Sequence, residues 1–223
     1  MAGTKAKRKP KAPTPFSTRV RRWVRKHTTL IGFLVAVPIV AGLIIFFTDP
    51  FSTPTAIDAD GSEVETGVIP TEGAAPRERR PAPNFVLADY EGQAVRLSDF
   101  RGKTVLVNFW ATWCTTCEAE MSDMQRLAAE NPDDLVVLAV NQAEGRGRAK
   151  AWSDARGLTA LIFVLDSRED VTSAYKLPSG LPHSFFIDAN GVVRVVKHGG
   201  MRFEEMDQLL EETRVAATSA RGP

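Results

Sequence analysis

Two cysteines are the only thiols in this 223-residue chain, and they stand three positions apart in Trp113-Cys114-Thr115-Thr116-Cys117. Thiols at this spacing can open and close a disulfide within one helical turn, which is the chemistry of thiol–disulfide exchange. The blander readings are weaker. A structural disulfide here would close a very short loop, where a cross-link stabilises least. A zinc site needs about four ligands, and beyond the two cysteines the chain has only His27, His183 and His198. No metal and no other cofactor is expected.

The reactivity of the pair depends on the elements that carry it. Thr104–Trp110 is a nearly continuous apolar run, as in a strand buried on both faces. Directly after it, Cys117, Met121, Met124 and Ala128 recur at helical spacing. A strand feeding a helix that begins inside a Cys-x-x-Cys is the context of a redox motif. Unpaired N–H groups and the positive end of the helix dipole favour the thiolate of Cys114. Cys117 falls on the core-facing stripe. Cys114 is therefore expected to attack and Cys117 to resolve, with Trp113 packed beside them and shaping the partner surface.

The remaining elements follow from pattern. Phe85–Leu87 and Val95–Leu97, joined through Glu91-Gly92, predict a hairpin, and Leu135–Val140 a second buried strand. The helix from the cysteines to about Asn131 links the two buried strands in a βαβ unit. A helix over Gly147–Arg156 should turn Ala149, Trp152 and Ala155 inward. Leu161–Leu165 reads as a short strand, followed by a helix capped by Ser167 with Asp170 and burying Val171, Ala174 and Tyr175. Ser184–Ile187 and Val192–Val196 flank a hairpin turn at Asp188–Gly191, and Phe203, Met206, Leu209 and Leu210 outline a closing helix. No internal repeat, phosphate loop or nucleotide fingerprint is present.

Asn108-Phe109-Trp110-Ala111-Thr112-Trp113-Cys114-x-x-Cys117 resembles the active-site segment of thioredoxin-fold proteins of the ResA/TlpA type. Gly180-Leu181-Pro182-His183-Ser184-Phe185-Phe186-Ile187-Asp188 resembles their cis-proline segment. The resemblance covers about Ala82 to Glu212. It implies an α/β thioredoxin fold with an N-terminal hairpin and a central βα insert. It also implies a cis bond before Pro182, and a Leu181 backbone that adds to an extended substrate chain. Thioredoxins proper carry a buried Asp near Asn108, and an amide cannot replace it as a base. Glu144 matches an acidic residue near the dithiol in ResA-like proteins, as a proton acceptor or a source of like-charge repulsion. His183 stands where the family commonly has Thr, and is expected at the surface.

The near-neutral total charge conceals an asymmetry. Residues 1–27 carry ten basic and no acidic residues, a pattern that alone would suggest a nucleic-acid arm. The apolar stretch that follows argues against nucleic acid: 28–48 is long enough to span a bilayer. With basic residues before it and acidic ones after, the N-terminus is expected to be cytoplasmic. The stretch is too long, and lacks the small-residue cleavage site, for a removed signal peptide, so a signal anchor is expected. The organisation expected is a basic tail at 1–27, an anchor at 28–48, a disordered Pro-rich linker at 49–81 reaching about 30 Å, a thioredoxin-like domain at 82–217 and a tail at 218–223.

The function expected is thiol–disulfide exchange outside the bacterial cytoplasmic membrane, reducing disulfides of specific proteins as ResA-like proteins do on apocytochrome c. A thiol peroxidase would share the fold, but the Pro-x-x-x-Thr-x-x-Cys pattern of peroxiredoxins is missing. A copper-binding assembly factor would show Cys-x-x-x-Cys, one residue longer. Partners are protein disulfides or dithiols, together with a donor that brings electrons across the membrane. No Lys or Arg lies within the motif, and Glu118 and Glu120 add negative charge after it. Thiolate stabilisation should then be modest and the couple reducing, below roughly −200 mV.

Overall fold

The computed structural model describes residues 54–219. The basic segment 1–27, the apolar stretch 28–48 and residues 220–223 lie outside the described residues. Among the described residues, no helix is long and apolar enough to cross a membrane.

The sheet is built around β6 (Thr104–Trp110), in which every residue is buried. Its alternating side chains divide the core. Leu106 and Trp110 point to one face with Cys114, Cys117, Met121 and Met124. Val105, Val107 and Phe109 point to the other with Phe85, Tyr175 and Phe185. β7 (Leu135–Gln142) pairs parallel to β6, while β9 (His183–Ile187) pairs antiparallel to it. Beyond them lie β8 (Ile162–Asp166), β4 (Asn84–Asp89), β3 (Gly67–Ile69) and β10 (Val193–His198), in the order β10-β9-β6-β7-β8-β4-β3 with β5 (Ala94–Arg96) off β4. Helices α1 (Thr115–Glu130), α2 (Arg146–Asp154) and α4 (Phe203–Ser219) bury residues in the first face. Helix α3 (Asp170–Ala174) buries Val171 in the second. This is the thioredoxin-type α/β fold, with the expected N-terminal hairpin β4–β5 and the expected insert β8–α3.

Several local expectations change. Residues 54–81 are not a disordered linker. β1 (Thr55–Ile57) pairs with β2 (Glu63–Glu65), and β3 (Gly67–Ile69) adds to β4. These strands have three residues each and bury few side chains, so no apolar period announces them; backbone bonds hold them instead. Ile57 N–H donates to Gly92 O at 2.8 Å, and Arg79 N–H to Val193 O at 2.8 Å. Arg96 clasps Asp58 through both guanidinium nitrogens. Helix α2 turns Ser153 inward and leaves Ala155 exposed. Helix α3 is capped by Asp166, whose carboxylate accepts from the Val171 and Thr172 N–H groups, and not by Ser167. Its Ala174 is only half-buried. At the far end, α4 runs to Ser219, two residues into the expected tail.

Candidate active site

β6 delivers the chain to the redox motif, and α1 receives it one residue after Cys114, which is the N-cap. The Cys114 and Cys117 sulfurs are joined in a disulfide. The two cysteines differ in access: Cys114 is 6% exposed and Cys117 fully buried. The Cys117 backbone N–H points at the Cys114 sulfur from 3.1 Å. In the dithiol form that donor would favour a thiolate on Cys114, which is how a helix start activates a cysteine. Trp113, immediately before, is 63% exposed, a large apolar surface at the outer sulfur's side.

Trp113 and Leu181 line one open groove of about 350 Å³, with Gln142, Ala143, Glu169 and the Leu177–Gly180 loop. The Leu181–Pro182 bond is cis, as expected. Pro182 is buried, and its carbonyl accepts from Gly199 N–H at 2.9 Å. Among the described residues, neither the N–H nor the C=O of Leu181 has a backbone partner. His183 is buried rather than superficial, with 4% exposure.

Glu144 belongs to this region, but its hydrogen bonds go to the polypeptide and not to a sulfur. It accepts from the Thr112 N–H at 2.7 Å, the Thr112 hydroxyl at 2.6 Å and the Asn141 amide at 2.9 Å. Burial alone would push its pKa up, but these donors, with Arg148 nearby, outweigh it and hold the carboxyl below the ordinary range. A carboxylate with that many donors is a poor proton acceptor. What it does is fix Thr112, two residues ahead of Cys114.

The acid that sequence reasoning missed is Glu120. Counted among the charges following the motif, it is instead 1% exposed, on the buried stripe of α1. One carboxylate oxygen accepts from the Asn108 amide at 2.9 Å and the other from the Met201 N–H at 2.9 Å. Burial pushes its pKa up to about 7, against the pull of those two donors. It lies three residues past Cys117 on one helix face, a spacing that sets Cβ atoms about 5–6 Å apart. The position of Asn108 thus lacks an acid of its own and is supplied with one from the helix. A carboxyl poised near neutrality, one helical turn from the buried thiol, has the acidity of a group that takes and returns protons at neutral pH. The signal was available: Cys117, Glu120, Met121 and Met124 fit one stripe. Glu118, by contrast, is an exposed partner of Arg156. Among the described residues no group of three or more His, Cys, Asp or Glu side chains is placed to hold a metal ion.

A Cys-x-x-Cys disulfide at a helix start, on a sheet of thioredoxin topology, defines a class of proteins that exchange thiols and disulfides. The AhpC/TSA family model matches residues 79–196. The chain is 41% identical over 142 residues to thiol-disulfide oxidoreductase ResA of Geobacillus thermodenitrificans (strain NG80-2), a match covering 63% of this chain and 80% of that protein. It is 35% identical over 138 residues to thioredoxin-like protein YneN of Bacillus subtilis (strain 168), over 60% of this chain and 79% of that one. Among solved structures, the exposed lipoprotein thioredoxin Etrx1 of Streptococcus pneumoniae strain TIGR4 matches with TM-score 0.51 and 32% identity, over 58% of this chain and 98% of that one. The chain belongs to the AhpC/TSA family, as a ResA-like thiol–disulfide oxidoreductase.

Proposed function

We propose that this oxidoreductase reduces disulfides of specific proteins on the outer side of a bacterial cytoplasmic membrane, held there by residues 28–48, in reactions of the cytochrome c maturation type. The observation that carries the exchange reaction is the asymmetry of the disulfide, with Cys114 at the helix start and Cys117 sealed beneath it. In the dithiol form, the Cys114 thiolate attacks one sulfur of the partner's disulfide. The partner's other sulfur leaves as a thiolate and takes a proton. Cys117, giving its proton to an acceptor such as Glu120, then attacks the Cys114 sulfur and expels the partner's second thiolate. The partner gains two electrons and the Cys114–Cys117 pair loses them. A dithiol donor spanning the membrane restores the pair, because the outer compartment is oxidising. Trp113, Leu181 and Pro182 form the surface on which the partner chain lies, and Glu144 steadies the approach to Cys114. Peroxidase chemistry is not favoured: Val107 and Ala111 stand where a peroxiredoxin has its Pro and Thr.

A Cys117→Ser variant should accumulate mixed disulfides through Cys114, visible as bands that dithiothreitol removes. Trapping by Cys114→Ser instead would reverse the two roles. For location, protease added to intact spheroplasts should digest the dithiol domain and spare the basic segment; a protected domain would overturn the outward placement.

A further inference from the structure

The residue after Pro182 is unusual in its surroundings as well as its type. His183 opens β9, and the register of the β9–β10 hairpin sets His198 directly opposite. The two Nδ1 atoms are 2.8 Å apart, and the far nitrogen of His183, Nε2, is 3.1 Å from the Pro178 carbonyl oxygen. A carbonyl only accepts, so His183 Nε2 carries a hydrogen. A neutral imidazole then has a bare Nδ1, and the hydrogen between the rings belongs to His198. Only one arrangement of protons on the neutral pair satisfies both bonds.

The consequence is a clamp on the loop between α3 and β9. Gly199 N–H holds the Pro182 carbonyl, and His198 acts through His183 on the Pro178 carbonyl. Both ties come from the end of β10, and Leu181, with its unpaired backbone groups, lies between them. We infer that His198 is a positioning residue for the exchange reaction: by donating to His183 Nδ1 it holds His183 in the tautomer that ties down Pro178, and so presets the Leu181 backbone for an incoming chain. This rests on the reading of Leu181 as the place where a partner chain adds.

The relay also has a defined response to acid. Both bonds hold while His183 is neutral. A proton added to His183 Nδ1 would set N–H against N–H across 2.8 Å. Burial, and the charge of His198, oppose it by holding the His183 pKa below the ordinary histidine range, against the pull of the Pro178 and Gly180 carbonyls. The groups sharing a surface hollow with His198 are Arg77, Lys176 and Tyr175, none of them an anion at neutral pH. Phe109, opposite His183 on β6, does not titrate. The relay holds while His183 is neutral and fails when acid charges it.

The test compares wild type, His198→Ala and His198→Asn, whose amide can still donate. Two probes carry the same thionitrobenzoate mixed disulfide, one on free cysteine and one on the central cysteine of a short extended peptide. Imidazole nitrogen shifts in NMR should show His183 protonated at Nε2 in wild type. His198→Ala should raise KM for the peptide about tenfold, the scale of one lost hydrogen bond, with kcat near wild type and little change toward free cysteine. His198→Asn should recover most of the peptide KM. Wild-type His183 protonated at Nδ1, or a His198→Ala variant whose peptide KM matches an active wild type, overturns the relay alone. A wild type that cleaves neither probe overturns the proposed function and the relay together.

Discussion

Two buried carboxylates flank the redox motif, and their environments drive them in opposite directions. Glu144 receives three hydrogen bonds, two of them from Thr112, and is held ionised. Glu120 receives two, is the more deeply buried, and is pushed up to about 7. Burial raises both; the donors decide which one keeps its charge. The difference assigns labour. Glu144 keeps its charge at neutral pH and organises the turn before Cys114. Glu120 is a group that changes charge near neutral pH, one helical turn from Cys117. The acidic residue singled out by resemblance is the fixed one, and the residue suited to proton transfer stands on the helix.

The comparison can be broken most directly by pH. Glu120 binds a proton more tightly in the folded state than in the unfolded chain. Its penalty is absent below the ordinary value of 4.5 and grows as pH rises toward about 7. At 1.36 kcal/mol per unit this is on the order of 3 kcal/mol. Glu120→Gln should therefore gain stability relative to wild type across that window, read by urea unfolding at several pH values. The introduced amide has an acceptor at hand, since Asn108 Oδ1 is buried without a partner. A stability difference that does not change between pH 4.5 and 8 would sink the assignment of Glu120 as a neutral-range acid.

Glu144→Gln should do the reverse, with a smaller effect. Its introduced NH₂ can donate to the Thr112 hydroxyl while the amide oxygen keeps the Thr112 N–H and Asn141, so what is lost is the charge on those bonds, about 1 kcal/mol. The native carboxyl is depressed, so its contribution is present above the ordinary value of 4.5 and is lost as pH falls through the folded value. The gap between wild type and Glu144→Gln should accordingly narrow in acid. A gap that widens in acid would mean the Thr112 bonds do not hold the carboxylate charged.

The parts of this arrangement that were legible in sequence are those set by local pattern. β6 is a nearly continuous apolar run, and α1 has a regular stripe, so their boundaries and the two cysteine positions came directly from the residues. The parts that were not legible depend on distant partners. Glu120 was read as solvated because charged residues usually are, although it sits on the stripe; what shelters it are Asn108, 12 residues back, and Met201, 81 residues on. His198 meets His183 because the register of β10 shifts between Val193 and Val195. Without that irregularity, Lys197 would stand opposite. β1 to β3 escaped because three-residue strands held by backbone bonds leave no apolar rhythm, and Pro54 and Pro70 bracket them like a linker.

The smallest effect concerns the redox potential. Stabilising a thiolate stabilises the reduced pair and makes it more oxidising. Cys114 has the helix start and the Cys117 N–H in its favour. Against this stands Glu120, one helical turn from Cys117, whose carboxyl pKa is pushed up to about 7 by burial, so that it still carries negative charge around neutral pH. Glu144 adds little either way, because its charge is met by Thr112, Asn141 and Arg148. The wild-type couple should therefore lie toward the thioredoxin end of the scale, below roughly −200 mV. Removing that charge in Glu120→Gln should move it in the oxidising direction by less than about 30 mV, which for two electrons corresponds to about 1.4 kcal/mol. Glu144→Gln should move it less. Equilibration against dithiothreitol or glutathione buffers measures all three. A larger shift from Glu144→Gln than from Glu120→Gln would exchange the roles of the two carboxylates. A wild-type value near −120 mV would make the protein an oxidant and defeat the reductive direction, leaving the roles of Cys114 and Cys117 intact.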